Sequence, residues 1–216
     1  MVGARATTLG AITKNDPTLK GLLRVEPLQG YWVMLMKDPK VVASSNLGLK
    51  LANALGVIDH RVAYEERKLE FIAVTENGEL ATPLPSAPPM VAEIVSASAR
   101  LYRDVGYEPP WIGYLAVEDG TCVGTCGFKS PPQNNRVEIA YFTFPGHESR
   151  GVATRMASEL IRLARAKMPA VIVAAQTLPE ENASTSILKK LGFRLVGTVE
   201  HPEDGPVWEW QLEPAE

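Results

Sequence analysis

The stretch from Arg136 to Pro169, RVEIAYFTFPGHESRGVATRMASELIRLARAKMP, constrains the fold more than any other part of the chain. It reads as a strand, breaks at Pro145-Gly146, crosses a short polar loop and enters a helix of about four turns. Gly151 falls where that helix begins. The first four N–H groups of a helix have no partner inside it, and the positive end of the helix dipole lies behind them. A glycine there leaves those groups uncovered, which makes the loop a candidate phosphate or pyrophosphate site. Arg150 would add charge, while Gly151 and Ala153 would permit close approach. A glycine in an ordinary loop before a helix would look the same, so this motif alone is weak.

The totals narrow the partners. At 216 residues the chain can hold one domain or a domain with an extension. It is 45% hydrophobic and 22% charged, as soluble globular proteins are, and its net charge of −3 gives no reason to expect nucleic acid or an anionic membrane. A small substrate or a peptide end fits better. No apolar run approaches the roughly 20 residues of a membrane span, and the first residues lack the apolar core of a signal peptide. The expected location is cytoplasmic. Cys122 and Cys126 sit in one predicted strand, on one face and roughly 13 Å apart, too far for a disulfide. They read as reduced structural residues. No zinc-like spacing accompanies them or the scattered His60, His147 and His201, so no metal is expected.

Along the chain, Tyr31–Lys37 reads as a buried strand or an apolar helical turn, and Ser44 or Ser45 could cap a helix ending at Gly56. Residues 1–65 are taken as an N-terminal extension of unassigned role, and 66–216 as the main domain. There LEFIAV is a strand, followed by a turn at Glu76-Asn77-Gly78, a proline-rich linker and a helix over Met90–Val105. That helix should bury Val91, Ile94, Val95, Ala99 and Leu101 or Tyr102. Trp111–Val117 and Thr121–Phe128 form a hairpin through Asp119-Gly120. After the central helix come the strand AVIVAAQ, a short helix that Ser184 could cap, and two last strands flanking Pro202–Gly205. The order of strand, helix, three strands, helix, strand, helix, two strands gives an α/β or α+β sheet with helices packed on it.

Strand alternation along RVEIAYFTF places Glu138, Ala140, Phe142 and Phe144 on one face and Val137, Ile139, Tyr141 and Thr143 on the other. A carboxylate beside two phenylalanines would be partly desolvated and a better base near neutrality. Equally, Glu138 could pair with Arg136 or a loop lysine; the pattern leaves both readings open. In the central helix Val152, Met156, Leu160 and Leu163 face the core, and Arg155, Glu159 and Arg162 read as a solvated charged face.

Taken together, Glu138-Ile-Ala-Tyr on a strand, ESRGVAT at a helix start, the TLPEENAS turn, ILKKLGF and the tail HPEDGPVWEW resemble the GNAT superfamily of N-acetyltransferases over about residues 69–213. The resemblance implies a mixed, mostly antiparallel sheet whose fourth and fifth strands splay to admit acetyl-CoA. It implies that backbone amides of Ser149, Arg150, Gly151, Val152, Ala153 and Thr154 hold the pyrophosphate, and that the backbone around Phe142 and Thr143 pairs with the pantetheine arm. It further implies direct attack by a primary amine, of a small molecule or a peptide N-terminus, with Glu138 as general base through water.

Two positions depart from the family pattern. Glu148 stands where glutamine or arginine is usual in the loop, and Leu188 stands where many relatives carry a tyrosine acid. The departing thiolate must then be protonated by Ser184, Ser186, Tyr141 or water; Ser184 is the catalytic candidate. Asn182 holds the cofactor amide or shapes its turn. An enzyme is expected, with a non-catalytic acyl-CoA sensor as the alternative, and a homodimer is compatible with the sequence. A serine hydrolase and a dinucleotide-binding protein are disfavoured, since neither a Gly-x-Ser-x-Gly elbow nor a Gly-x-Gly-x-x-Gly after a strand is present.

Overall fold

The computed structural model describes residues 68–202 and 204–214. The readings of Tyr31–Lys37 and of the Ser44–Gly56 helix lie outside the described residues. The elements are β1 (Leu69–Ala73), α1 (Met90–Val105), β2 (Gly113–Glu118), β3 (Thr121–Phe128), β4 (Arg136–Thr143), α2 (Val152–Lys167), β5 (Ile172–Thr177), α3 (Ala183–Lys190), β6 (Arg194–His201) and β7 (Gly205–Leu212). Their order is the one expected from the sequence.

The described strands form one sheet in the order β1-β2-β3-β4-β5-β7-β6. Every neighbouring pair is antiparallel except β4 and β5, which run parallel. The parallel pair needs a crossover, and α2 supplies it. It packs on β3 and β4, burying Val152, Met156, Ala157, Leu160, Ile161 and Ala164. Gly124 on β3 permits that approach: a Cβ there would lie 2.6 Å from Phe142 O and 3.0 Å from Met156 Cε. On the other face Val91 and Ile94 of α1 pack with Leu115, Cys122, Phe142 and Phe144.

Two local readings change. The stripe of α1 includes Ala97 and Ser98 among its buried residues, whereas Val95 and Ala99 are only partly covered; the Ser98 hydroxyl is satisfied by Ile94 O at 3.0 Å. Cys122 and Cys126 do not share a face. The β2–β3 register shifts between Ala116 and Val117, so that Val117 pairs with Cys122 and Ala116 with Gly124. The extra residue reverses side-chain alternation. Cys122 therefore packs under α1 and Cys126 in the α2 core. Both are free thiols, and burial pushes that of Cys122 up to about 11.

Burial also pushes the Tyr102 phenol up to about 12 and those of Tyr114 and Tyr141 higher still. A phenol whose folded value is raised contributes stability that is complete below its unfolded value of about 10 and is lost as pH rises beyond it. Thermal denaturation followed from pH 8 to 12, with tyrosinate absorbance read in parallel, should show the melting temperature falling above about pH 8.5 as thiols ionise in the unfolded chain, and more steeply above about pH 10 as its phenols follow. A constant melting temperature across that range would contradict the buried state of these phenols.

Candidate active site

The parallel pairing of β4 with β5 is short. Arg136, Val137 and Glu138 pair with Ile172, Val173 and Ala174, and the register ends there. Beyond Glu138 the two strands separate into a cleft lined by Lys129, Glu138, Ile139, Ala140, Tyr141, Ala175, Gln176, Thr177, Ser184 and Leu188. The separation implied by the family resemblance is thus present.

Backbone alternation decides what β4 offers to that cleft. Lys129 N donates to Glu138 O at 2.9 Å and Phe144 N to Val123 O at 2.9 Å, both across to the β3 side. On an antiparallel strand such residues alternate, so Phe142, opposite Thr125, spends its peptide groups on β3, whereas those of Tyr141 and Thr143 face the gap. At the gap, the peptide groups not used by β3 are thus those of Tyr141 and Thr143, and Phe142 is committed to β3. The hydroxyls of these two residues are also buried without a hydrogen-bond partner among the described residues.

Beyond β4, Phe144-Pro145-Gly146-His147 forms a tight turn, with His147 N donating to Phe144 O at 3.1 Å and Gly146 at φ 86°. Glu148 closes it by accepting from Gly146 N at 2.7 Å. Ser149 and Gly151 both take left-handed backbone angles, φ 59° and 74°. Gly151 is the N-cap of α2 and makes no side-chain cap, and no acidic residue occupies the first turn. The helix ladder starts with Arg155 N on Gly151 O, which leaves the N–H groups of Val152, Ala153 and Thr154 without helical partners. A Cβ on Gly151 would meet nothing within 4 Å. The uncovered helix start anticipated from the sequence is in place.

The charges around it are not arranged as expected. Arg150 donates to Glu118 at 2.8 Å and lies 3.1 Å from His147 Nδ1, so its guanidinium is tied to the protein. Arg155 is not on a solvated face: it donates to the other Glu118 oxygen at 2.7 Å. Glu118, 3% exposed, thus anchors the loop and the first turn of α2 together. No local pattern could have revealed this, because 32 and 37 residues separate the partners. Glu159 and Arg162 do lie on a solvated face, where they pair with each other at 2.7 Å.

Glu138 takes the paired arrangement. Lys129 Nζ lies 2.5 Å from its Oε1 and Arg136 Nη2 3.5 Å from its Oε2, and Arg136 continues to Glu209 at 3.2 Å. The Lys129 contact is an ion pair outside hydrogen-bond geometry, since Oε1 registers no hydrogen bond. Its carboxylate therefore owes its setting to two cations on a partly buried strand rather than to the two phenylalanines alone.

On α3 the cap is Asn182, not Ser184. Asn182 Oδ1 accepts from Thr185 N at 3.0 Å and Thr185 Oγ1 accepts from Asn182 N at 2.9 Å, a reciprocal capping box. The cap does not use Asn182 Nδ2. Freed from capping, Ser184 lines the cleft beside Leu188. Ser186 is exposed, its hydroxyl donates to Asn182 O at 2.9 Å, and it is not among the residues that line the cleft. Among the described residues no helix is long and apolar enough to cross a membrane, and no group of three or more His, Cys, Asp or Glu could hold a metal.

Comparison with known proteins agrees with this geometry. Residues 62–194 match the family model for the acetyltransferase (GNAT) domain. Among solved structures, the apo form of RimL, a ribosomal L7/L12 alpha-N-protein acetyltransferase, superposes with a TM-score of 0.52 at 17% identity, covering 68% of this chain and 95% of that one. A putative GNAT-family acetyltransferase from Desulfovibrio desulfuricans gives 0.50 at 13% identity, with 68% and 100% covered. No match is found among curated proteins.

Replacing Glu118 by Gln removes the charge shared by Arg150 and Arg155. Because both guanidinium groups keep some solvent access, the expected loss is about 2 kcal/mol of stability. It should appear as a lowered urea midpoint with an unchanged denaturant slope. An unaltered midpoint would mean that Glu118 does not hold the loop to the helix.

Proposed function

This chain belongs to the GNAT acetyltransferase family, acetyl-CoA-dependent enzymes, and we propose that it moves the acetyl group of acetyl-CoA by direct transfer to a primary amine of a small molecule or a peptide N-terminus. The observation that carries the proposal is the gap between β4 and β5. Its edge presents the peptide groups of Tyr141 and Thr143, and the loop after β4 leads to the uncovered start of α2. The edge suits the amides of a pantetheine arm, and the helix start suits a pyrophosphate. Residues 66–216 make up the catalytic domain in this reading, with 1–65 as an extension.

Within that frame each residue has a task. The amides of Ser149 to Thr154 hold the pyrophosphate, and Arg150, tied to Glu118, keeps the loop in shape instead of serving as a free counter-charge. Glu138 takes the proton released by the attacking amine, through a water molecule. Its pairing with Lys129 and Arg136 fixes the carboxylate at the inner end of the gap. Peptide N–H groups on the open β4 edge are placed to stabilise developing negative charge on the carbonyl oxygen. Asn182 Nδ2 is available for a cofactor amide. Of the hydroxyls on the cleft walls, Thr177 accepts from Trp210 Nε1, and Ser184 and Tyr141 are the candidates to face the departing sulfur. The buried thiols of Cys122 and Cys126 fit a cytoplasmic enzyme.

The experiment is release of CoA thiol from acetyl-CoA against a panel of amines and peptides with free N-termini. Amine-dependent release is expected; binding of acetyl-CoA without turnover across the panel would favour a sensor instead. With an active amine in hand, Glu138→Gln should retain CoA binding and lose about 100-fold in kcat, together with the acidic limb of the pH–rate profile. A profile matching that of the native protein would remove Glu138 from the role of base. Lys129→Met should in turn lower kcat, because it deletes the cation that holds the carboxylate in place; an unchanged kcat would show that the ion pair does not position Glu138 in the working enzyme.

A further inference from the structure

Glu138 and Tyr141 stand three residues apart on β4, an odd separation that sends their side chains to opposite faces of the sheet. Tyr141 belongs to the buried cluster that holds the inward residues of α2 and Leu188 of α3, while Glu138 lies on the Phe142 side. Direct transfer involves two separate events, loss of a proton from the attacking nitrogen and development of negative charge on the departing sulfur, and two side chains on different faces can serve them independently. Leu188, 0% exposed, can donate nothing. Tyr141 lines the same cleft as Leu188, is 5% exposed, and carries a hydroxyl with no partner among the described residues. A buried hydroxyl left unbonded costs stability, and such groups call for a ligand or a chemical task.

Resting on the acyl-transfer reading, we propose that Tyr141 is the group that hydrogen-bonds the sulfur of acetyl-CoA and stabilises the negative charge that gathers on it as it departs. As the N–C bond forms and the C–S bond breaks, sulfur keeps the bonding electron pair. The Tyr141 O–H donates to that thiolate and keeps its own proton, and the sulfur takes its proton from water as CoA leaves. Burial raises the phenol well above its ordinary value, so it carries its proton throughout the working pH range. The other serine on the helix, Ser186, is already engaged by Asn182 O.

Binding alone tests this assignment and needs no knowledge of the acceptor. CoA and desulfo-CoA are titrated calorimetrically into the full-length protein and into Tyr141→Phe, below and above the usual thiol pKa of about 8.5. The native protein should prefer CoA by about tenfold, more so at the higher pH where the thiolate accepts the hydrogen bond. Tyr141→Phe should bind both ligands as tightly as the native protein binds desulfo-CoA. Its melting temperature should hold or rise, since an unbonded hydroxyl has been removed. A preference that survives in Tyr141→Phe, or is missing from the native protein, overturns the assignment while leaving the acyl-CoA site intact. A preference abolished by Ser184→Ala but not by Tyr141→Phe would give the task to Ser184 and equally overturn it. Failure of the native protein to bind either ligand would overturn the acyl-transfer reading itself. Where an amine supports turnover, kcat of Tyr141→Phe should fall about 100-fold with KM for acetyl-CoA nearly unchanged.

Discussion

The end of hydrogen bonding between β4 and β5 after Glu138 and Ala174 is the constraint on which the rest of the site depends. A strand that stops pairing in the middle of a sheet leaves peptide groups that water or a ligand must satisfy. Here the sheet stays intact on either side: β4 remains bonded to β3 along its length, and β5 to β7. The opening is thus a property of two rigid sub-sheets rather than of a mobile loop. Groups on the walls of such an opening have the stiffness of strands, which position groups more closely than loops can.

Two ion-pair groups hold this opening from its two ends. Glu118 joins the end of β2 to the anion loop and the first turn of α2. Glu138 is joined through Lys129 to the end of β3, and through Arg136 and Glu209 to β7. These carboxylates are largely desolvated, so each has value only with its partners in place. In both cases the acid sits on a strand and the cations come from neighbouring segments. The ion pairs therefore report the relative placement of those segments, and the loop before α2 is pinned by side chains that leave the N–H groups of Val152 to Thr154 without helical partners.

Much of this was legible in the sequence where the governing interactions are local. The α2 boundaries, the Gly151 start and the Asp119-Gly120 hairpin follow from helical period, dipole and turn chemistry, each decided within a few residues. The strand alternation that put Glu138 and Tyr141 on opposite faces was equally readable. What escaped was set by distant partners or by a single inserted residue. Arg155 looked solvated because its partner Glu118 lies 37 residues away. Cys122 was assigned to the wrong face because the β2–β3 irregularity is invisible without the pairing. Asn182 took the cap expected of Ser184 because Thr185 completes a reciprocal bond with it, and that shift is what leaves Ser184 on the cleft wall.

The central claim is that one ligand spans the open β4 edge and the start of α2. Amide hydrogen exchange, residue by residue, with and without CoA, tests it most directly. The account predicts new protection at Tyr141 and Thr143 and at Val152 to Thr154, with little change in β1 or in the β6–β7 hairpin. Protection confined to other elements, or none at saturating CoA, would contradict it.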